Sequence, residues 1–122
     1  MRYVRVIDKR TGESLAEKAG WYASPWRRFQ GLMLRSSFPE GEGIVLIPCN
    51  SVHMALMRFP LDILFFNRRQ EAVRLVHDLK PYRIAFGHRG AHAAIELPAG
   101  TLRRLRVEPG DLLVFEEQPD KG

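Results

Sequence analysis

Three side chains able to ligate soft metals stand at equal intervals in Cys49-x-x-x-His53-x-x-x-Met57. Thiolate, imidazole and thioether together suit copper or zinc. On a helix, residues four apart stack on one face and can share an ion; on an extended strand they lie roughly 13 Å apart and cannot. Pro48 and Asn50-Ser51 on one side and Phe59-Pro60 on the other bracket a piece that reads as extended or irregular. That setting favours a structural His53 with Met54, Leu56 and Met57 packed around it. Cys49 and His53 also have the types of a nucleophile and its base. Cys49 is the single cysteine, however, and neither a CxxC pair nor an oxyanion motif accompanies it. A second set of ligand types is His88, His92 and Glu96. Gly90 weakens a helix there, and on a strand His92 and Glu96 share a direction but stand too far apart to hold one ion.

Asp62 poses a different question. In Leu61-Asp62-Ile63-Leu64-Phe65-Phe66 the strand period places Leu61, Ile63 and Phe65 on one face and Asp62, Leu64 and Phe66 on the other. A carboxylate among such neighbours is costly unless it finds partners. It is expected either to anchor structure, accepting backbone amides or an arginine such as Arg58 or Arg35, or to serve as a pocket carboxylate that binds a ligand or moves a proton.

The elements that would position these residues are mostly short strands. Residues 3–7 and 14–19 flank the turn-forming Asp8-Lys9-Arg10-Thr11-Gly12-Glu13, a hairpin. Ser24, Pro25 and Gly31 have the types of a helix start and stop, which places a short helix near 25–30 with Trp26 and Phe29 on its buried face. Ile44–Ile47 reads as a strand buried on both faces, and residues 61–66 and 71–76 as a second hairpin. Residues 78–92, with Pro81, Gly87 and Gly90, read as a long excursion and candidate rim. A strand at 93–97, one helical turn at 101–106 and a strand at 112–115 close the chain. The expected fold is mainly β: a small β-sandwich or partly closed barrel with one or two short helices. Residues 1–117 form one β-rich domain and 118–122 a loose tail.

Composition bounds the function. A chain of 122 residues, 45% hydrophobic and 27% charged, is ordinary for a globular domain and excludes wholesale disorder. The longest apolar runs fall far below the roughly 20 residues of a membrane span. The first residues carry Arg2, Arg5 and Asp8 where a signal peptide needs an apolar stretch, so a cytoplasmic location is expected. The net charge of +5 comes from 19 basic and 14 acidic residues. The arginines are spread from Arg2 to Arg106, a solvated surface rather than a nucleic-acid footprint. Gly-rich phosphate loops, GxSxG elbows and HExxH helices do not occur.

Four motifs in order carry a resemblance: Gly31-Leu32-Met33-x-Arg35; Ser51-Val52-His53-x-x-x-Met57-Arg58-Phe59-Pro60-Leu61-Asp62-Ile63; Glu96-Leu97-Pro98-Ala99-Gly100; and Gly110-Asp111. Over about residues 22–115 the chain resembles the uncharacterised prokaryotic family catalogued as domain of unknown function 192. The resemblance implies a small β-sandwich or barrel-like fold and supplies no activity, substrate or cofactor. The pattern includes His53, Met57, Pro60 and Asp62, but not His88 or His92. The chain departs from it at Met54, where threonine is frequent, and in the turn Asn67-Arg68-Arg69-Gln70.

The residues and the resemblance together lead to a non-enzymatic binding module with a cleft near His53, Met57 and Asp62, bordered by Glu96 and Arg35, that holds a small molecule or a protein segment. The other reading is a metal-binding protein or small enzyme using Cys49, His53, Asp62 or Glu96. No cofactor, bound metal or nucleic-acid partner is expected.

Overall fold

A computed structural model describes residues 2–23, 38–54, 58–88 and 90–119, His53 by its backbone alone. Nine strands follow in chain order among these residues: β1 Tyr3–Asp8, β2 Ser14–Tyr22, β3 Glu42–Leu46, β4 Ser51–His53, β5 Leu61–Phe66, β6 Ala72–Leu79, β7 Ile84–Phe86, β8 Ala93–Pro98 and β9 Leu113–Gln118. One short helix, α1 Thr101–Arg104, lies between β8 and β9. The helix expected near 25–30 falls outside the described residues.

Seven strands form one sheet in the order β6-β5-β8-β3-β2-β1-β9, and β4 and β7 form a second, two-stranded sheet. All pairs are antiparallel except β2 with β3. The large sheet curls until its two edge strands approach at one end. There Glu71 bridges Leu112, and backbone bonds join Ala72 to Asp111 and Gly110 and Leu113 to Gln70. It does not close into a barrel; the arrangement is sandwich-like, mainly β as the sequence pattern implies.

The period-two pattern decides which layer each strand supplies. On β5, where all six residues are buried, Leu64 and Phe66 join Val4, Val6, Val45, Ile95, Leu97, Leu102 and Leu113 in the concave core beneath α1. Leu61, Ile63 and Phe65 face the other way, into a core with Ile44, Leu46, Ala94, Phe38, and with Val52, Met54 and Ala85 from the β4–β7 side. The two cores are the two faces of one sheet, which explains why β5 and β8 are apolar on both sides.

Two expectations for the irregular regions change. The strand from Ala72 continues to Leu79, and the 78–92 excursion contains β7, paired with β4 through Ser51–Phe86, Val52–Ala85 and His53–Ile84. A three-residue strand flanked by Pro81 and Gly87 is too short to produce a periodic signal. At the far end β9 extends through Gln118, the first residue assigned from sequence to the tail.

Gly87 fixes how closely β7 approaches the large sheet. A Cβ at this position would lie 2.4 Å from Ala91 Cβ and 2.7 Å from Phe65 Cδ1. Gly87→Ala is expected to cost about 2 kcal/mol or more by overpacking, measured by urea unfolding; a loss below about 0.5 kcal/mol would mean the β7 end yields freely.

Candidate functional site

Asp62 is fully buried on the concave face, and its two oxygens have separate tasks. Between Leu61–Leu79 and Ile63–Val76 the β5–β6 register slips, and Asp78, at φ 54°, occupies the bulge. Asp62 Oδ1 accepts the Asp78 N–H at 2.9 Å, an amide that the bulge turns out of the ladder. Oδ2 accepts the N–H of Leu102 at 2.9 Å, one of the amides that the first turn of α1 leaves without a helical partner. Gly100, the residue before the helix, has no side chain to do this. Asp62 therefore joins three elements, β5, the β6 bulge and α1, by supplying acceptors to a buried and a part-buried backbone donor.

Glu96 is also fully buried but faces the opposite way. It stands in a cross-strand row between Ile44 of β3 and Ile63 of β5, both members of the core that contains Val52 and Met54. Asp62 and Glu96, which the sequence offered as neighbours in one cleft, thus belong to opposite faces of the sheet. Met57 and Arg35 lie outside the described residues.

Cys49 meets a different residue from the one its spacing indicates. Its N–H donates to the His92 carbonyl at 2.7 Å, and its Sγ–H donates to the Ser51 carbonyl at 3.0 Å. Pro48, Cys49, Asn50, Ala91 and His92 line a depression of about 350 Å³. Beyond Asn50, the extended backbone of β4 places positions 49 and 53 along the chain rather than stacked as on a helix. His88, at φ 61°, lines two further depressions, one with Asn50, Ser51 and Phe86 and one with Val73, Arg74 and Gly87. Among the described residues, no group of three or more His, Cys, Asp or Glu side chains is arranged to hold a metal ion.

The sequence reading passed over a second carboxylate site. Asp8, at the inward end of β1, is fully buried and Asp111 nearly so. Arg10 grips Asp111 through Nε at 2.7 Å and Nη2 at 3.2 Å and also donates to the Arg106 carbonyl. Asp111 additionally accepts the Glu108 N–H at 2.9 Å, while Asp8 Oδ1 accepts the Arg10 N–H at 3.0 Å. Asp8 Oδ2 receives no donor, and a hydrogen bond between the two carboxyls requires Asp8 to carry the proton. Burial, and then this hydrogen bond to Asp111, push the Asp8 carboxyl up to about 6. Burial opposes ionisation of Asp111 too, but the hydrogen bonds from Arg10, Asp8 and Glu108 outweigh it and hold Asp111 at about 2. The Gly110-Asp111 motif was the available signal; its partner, a hundred residues away in a hairpin turn, had none.

The sign of the pH effect follows. Asp8 binds its proton more tightly folded than unfolded, so its contribution is full below about 4 and is lost as pH rises through about 6. Asp111 acts oppositely, its contribution present above about 4 and lost as pH falls toward 2. This corner is thus most stable near pH 4 and weakens as the pH rises toward 6 or falls toward 2. Asp8→Asn keeps the acceptor for Arg10 and offers Asp111 a permanent N–H. It should raise stability at pH 8 by about 1–3 kcal/mol and leave pH 4 unchanged, as thermal melts at the two pH values would show. An equal effect at both would contradict the shared proton.

No described helix is long and apolar enough to cross a membrane. The family profile DUF192, described as an uncharacterised ACR, matches residues 6–115. A UPF0127 protein of Pyrococcus furiosus is 38% identical over 92 residues, covering 71% of this chain and 77% of that protein. A UPF0127 protein of Thermococcus sibiricus is 29% identical over 102 residues, covering 80% of this chain and 65% of that protein. A crystal structure from Sinorhizobium meliloti, described as a candidate transcription regulator, superposes with a TM-score of 0.79 at 27% identity, over 93% of this chain and 92% of its own. The curved seven-stranded sheet, the Glu96-Leu97-Pro98 and Gly110-Asp111 motifs and these likenesses converge: the chain belongs to the uncharacterised DUF192/UPF0127 family.

Proposed function

We propose that this protein is a non-enzymatic binding module that holds a small molecule or a peptide segment in the depression bordered by Pro48, Cys49, Asn50, Ala91 and His92. One observation carries the reading: two distant chain segments are joined by the Cys49–His92 backbone bond to form a concavity of about 350 Å³ lined by a thiol, an amide and an imidazole. That combination of shape and a few polar groups suits a small ligand. The depression adjoins the strand that carries His53. Glu96 belongs to the face on which β4 packs, and Asp62 supports the scaffold from the other side.

Thermal stability screened against metal ions, metabolites and short peptides tests it, since only a ligand that prefers the folded state raises the midpoint. Duplex DNA belongs in the panel because of the description of the Sinorhizobium relative. At a hundred-fold excess over its Kd a ligand adds about 2.7 kcal/mol. A hit whose shift is lost in Asn50→Ala/His92→Ala, with the unliganded midpoint unchanged, supports the cleft. No hit, or hits indifferent to both substitutions, contradicts it.

A further inference from the structure

Tyr82, Ile84 and Phe86 are 74%, 58% and 54% exposed, three large apolar side chains at alternate positions along β7 and the residues leading into it. Ile84 and Phe86 flank Ala85, which is buried in the core beneath, and so share the outer side of β7; Tyr82, in the turn before the strand at φ 67°, is exposed two residues earlier. Soluble domains scatter single apolar residues over their surface, but a contiguous stripe marks a contact surface. The charges around it have one predominant sign. Arg74 donates to the Phe86 carbonyl at 2.7 Å, which places its guanidinium beside the stripe, and Lys80 and the exposed Arg83 lie at its start. Asp78 is the one carboxylate between residues 72 and 92, and it is paired with Lys80 at 2.6 Å.

We propose that this face docks on an anionic lipid surface, with Tyr82, Ile84 and Phe86 entering the interface and Arg74, Lys80 and Arg83 meeting the headgroups. Charge complementarity with one occupant, and poor fit to the others, carries the choice. A second copy would bring like charges together. A partner strand added to the edge of β7 would compete with Arg74 for the Phe86 carbonyl. A nucleic-acid platform uses stacked aromatics, and an aliphatic Ile84 stands between the two rings. Amphipathic surfaces of this kind sit at the headgroup boundary by combining apolar insertion with basic attraction.

The test is co-sedimentation of the full chain with vesicles of phosphatidylcholine alone and of phosphatidylcholine with phosphatidylglycerol in equal parts. Partitioning is expected to be about ten-fold stronger on the anionic vesicles and to fall at high salt, since exposed charges are screened. Ile84→Ser/Phe86→Ser and, separately, Arg83→Glu should each weaken it about ten-fold, with unchanged melting midpoints because the side chains are exposed. Equal partitioning on both vesicles, no partitioning, or binding unaffected by Ile84→Ser/Phe86→Ser overturns the proposal. So does a concentration-dependent dimer abolished by the same substitutions, or binding to single-stranded DNA that Arg83→Glu removes while vesicle binding is absent.

Discussion

Asp62→Ala is expected to lower the unfolding free energy by about 4 kcal/mol, the largest single loss among the polar residues of this protein. The side chain is fully buried, and it accepts two backbone amides that nothing else is placed to accept: the Asp78 N–H at the β6 bulge and the Leu102 N–H at the start of α1. Removing the carboxylate leaves the buried Leu102 donor and the part-buried Asp78 donor without this acceptor, and hydrogen bonds to charged groups are worth about 1.5–3 kcal/mol each. Asp62→Asn retains one acceptor oxygen for two donors and should lose about half as much. Chemical denaturation of the three proteins provides the comparison. The midpoint temperature of the alanine variant should drop by about 15 °C. If Asp62→Asn proved neutral and Asp62→Ala cost under 1 kcal/mol, the anchoring role would be wrong, and a carboxylate selected for a ligand would explain the residue better.

Phe65→Ala should have an effect of similar size by a different route. Phe65 is fully buried in the layer between the large sheet and β4–β7, and its ring lies directly beneath the backbone of Gly87. Truncating a buried phenylalanine loses about 3–5 kcal/mol through transfer and residual cavity. The cavity would open under β7, whose only strand partner among the described residues is the three-residue β4. Amide exchange at Gly87, whose N–H donates to the Asn50 carbonyl, should therefore accelerate more than exchange at the Ile95 amide, deep in β8. Phe65→Leu should cost about 1.5 kcal/mol or less. A uniform acceleration across both sites would show that β7 opens only with the whole domain.

The contrast between these residues shows what could be read in advance. The strands of the large sheet were legible because their apolar residues alternate or run together between turn formers; the facing of Leu61, Ile63 and Phe65 against Asp62, Leu64 and Phe66 is found as expected. Asp62 stood out because an isolated carboxylate in an apolar strand needs partners. Its partners, however, are backbone amides released by a bulge and by a helix start, and neither feature has a side-chain signature. Glu96 could not be assigned a face relative to Asp62 without the β5–β8 register, which pairs Asp62 with Leu97 and Ile63 with Glu96. The meeting of Cys49 with His92, and of Asp8 with Asp111, depends on contacts across long stretches of chain. Spacing within a segment carries no information about those. Residues 78–92 read as an excursion because the three-residue strand Ile84–Phe86 is too short to show a period among the turn formers Pro81, Gly87 and Gly90.

The placement of the binding cleft on the Cys49–His92 side, with Asp62 reserved for the scaffold, can be tested in one measurement: two-dimensional amide NMR of the labelled protein against a library of small fragments. Fragments that bind should shift the amides of Cys49, Asn50, Ala91 and His92 together while those of Asp78 and Leu102 stay in place. Shifts centred on Asp78 and Leu102, or a library with no binder at the Cys49–His92 depression, would contradict it.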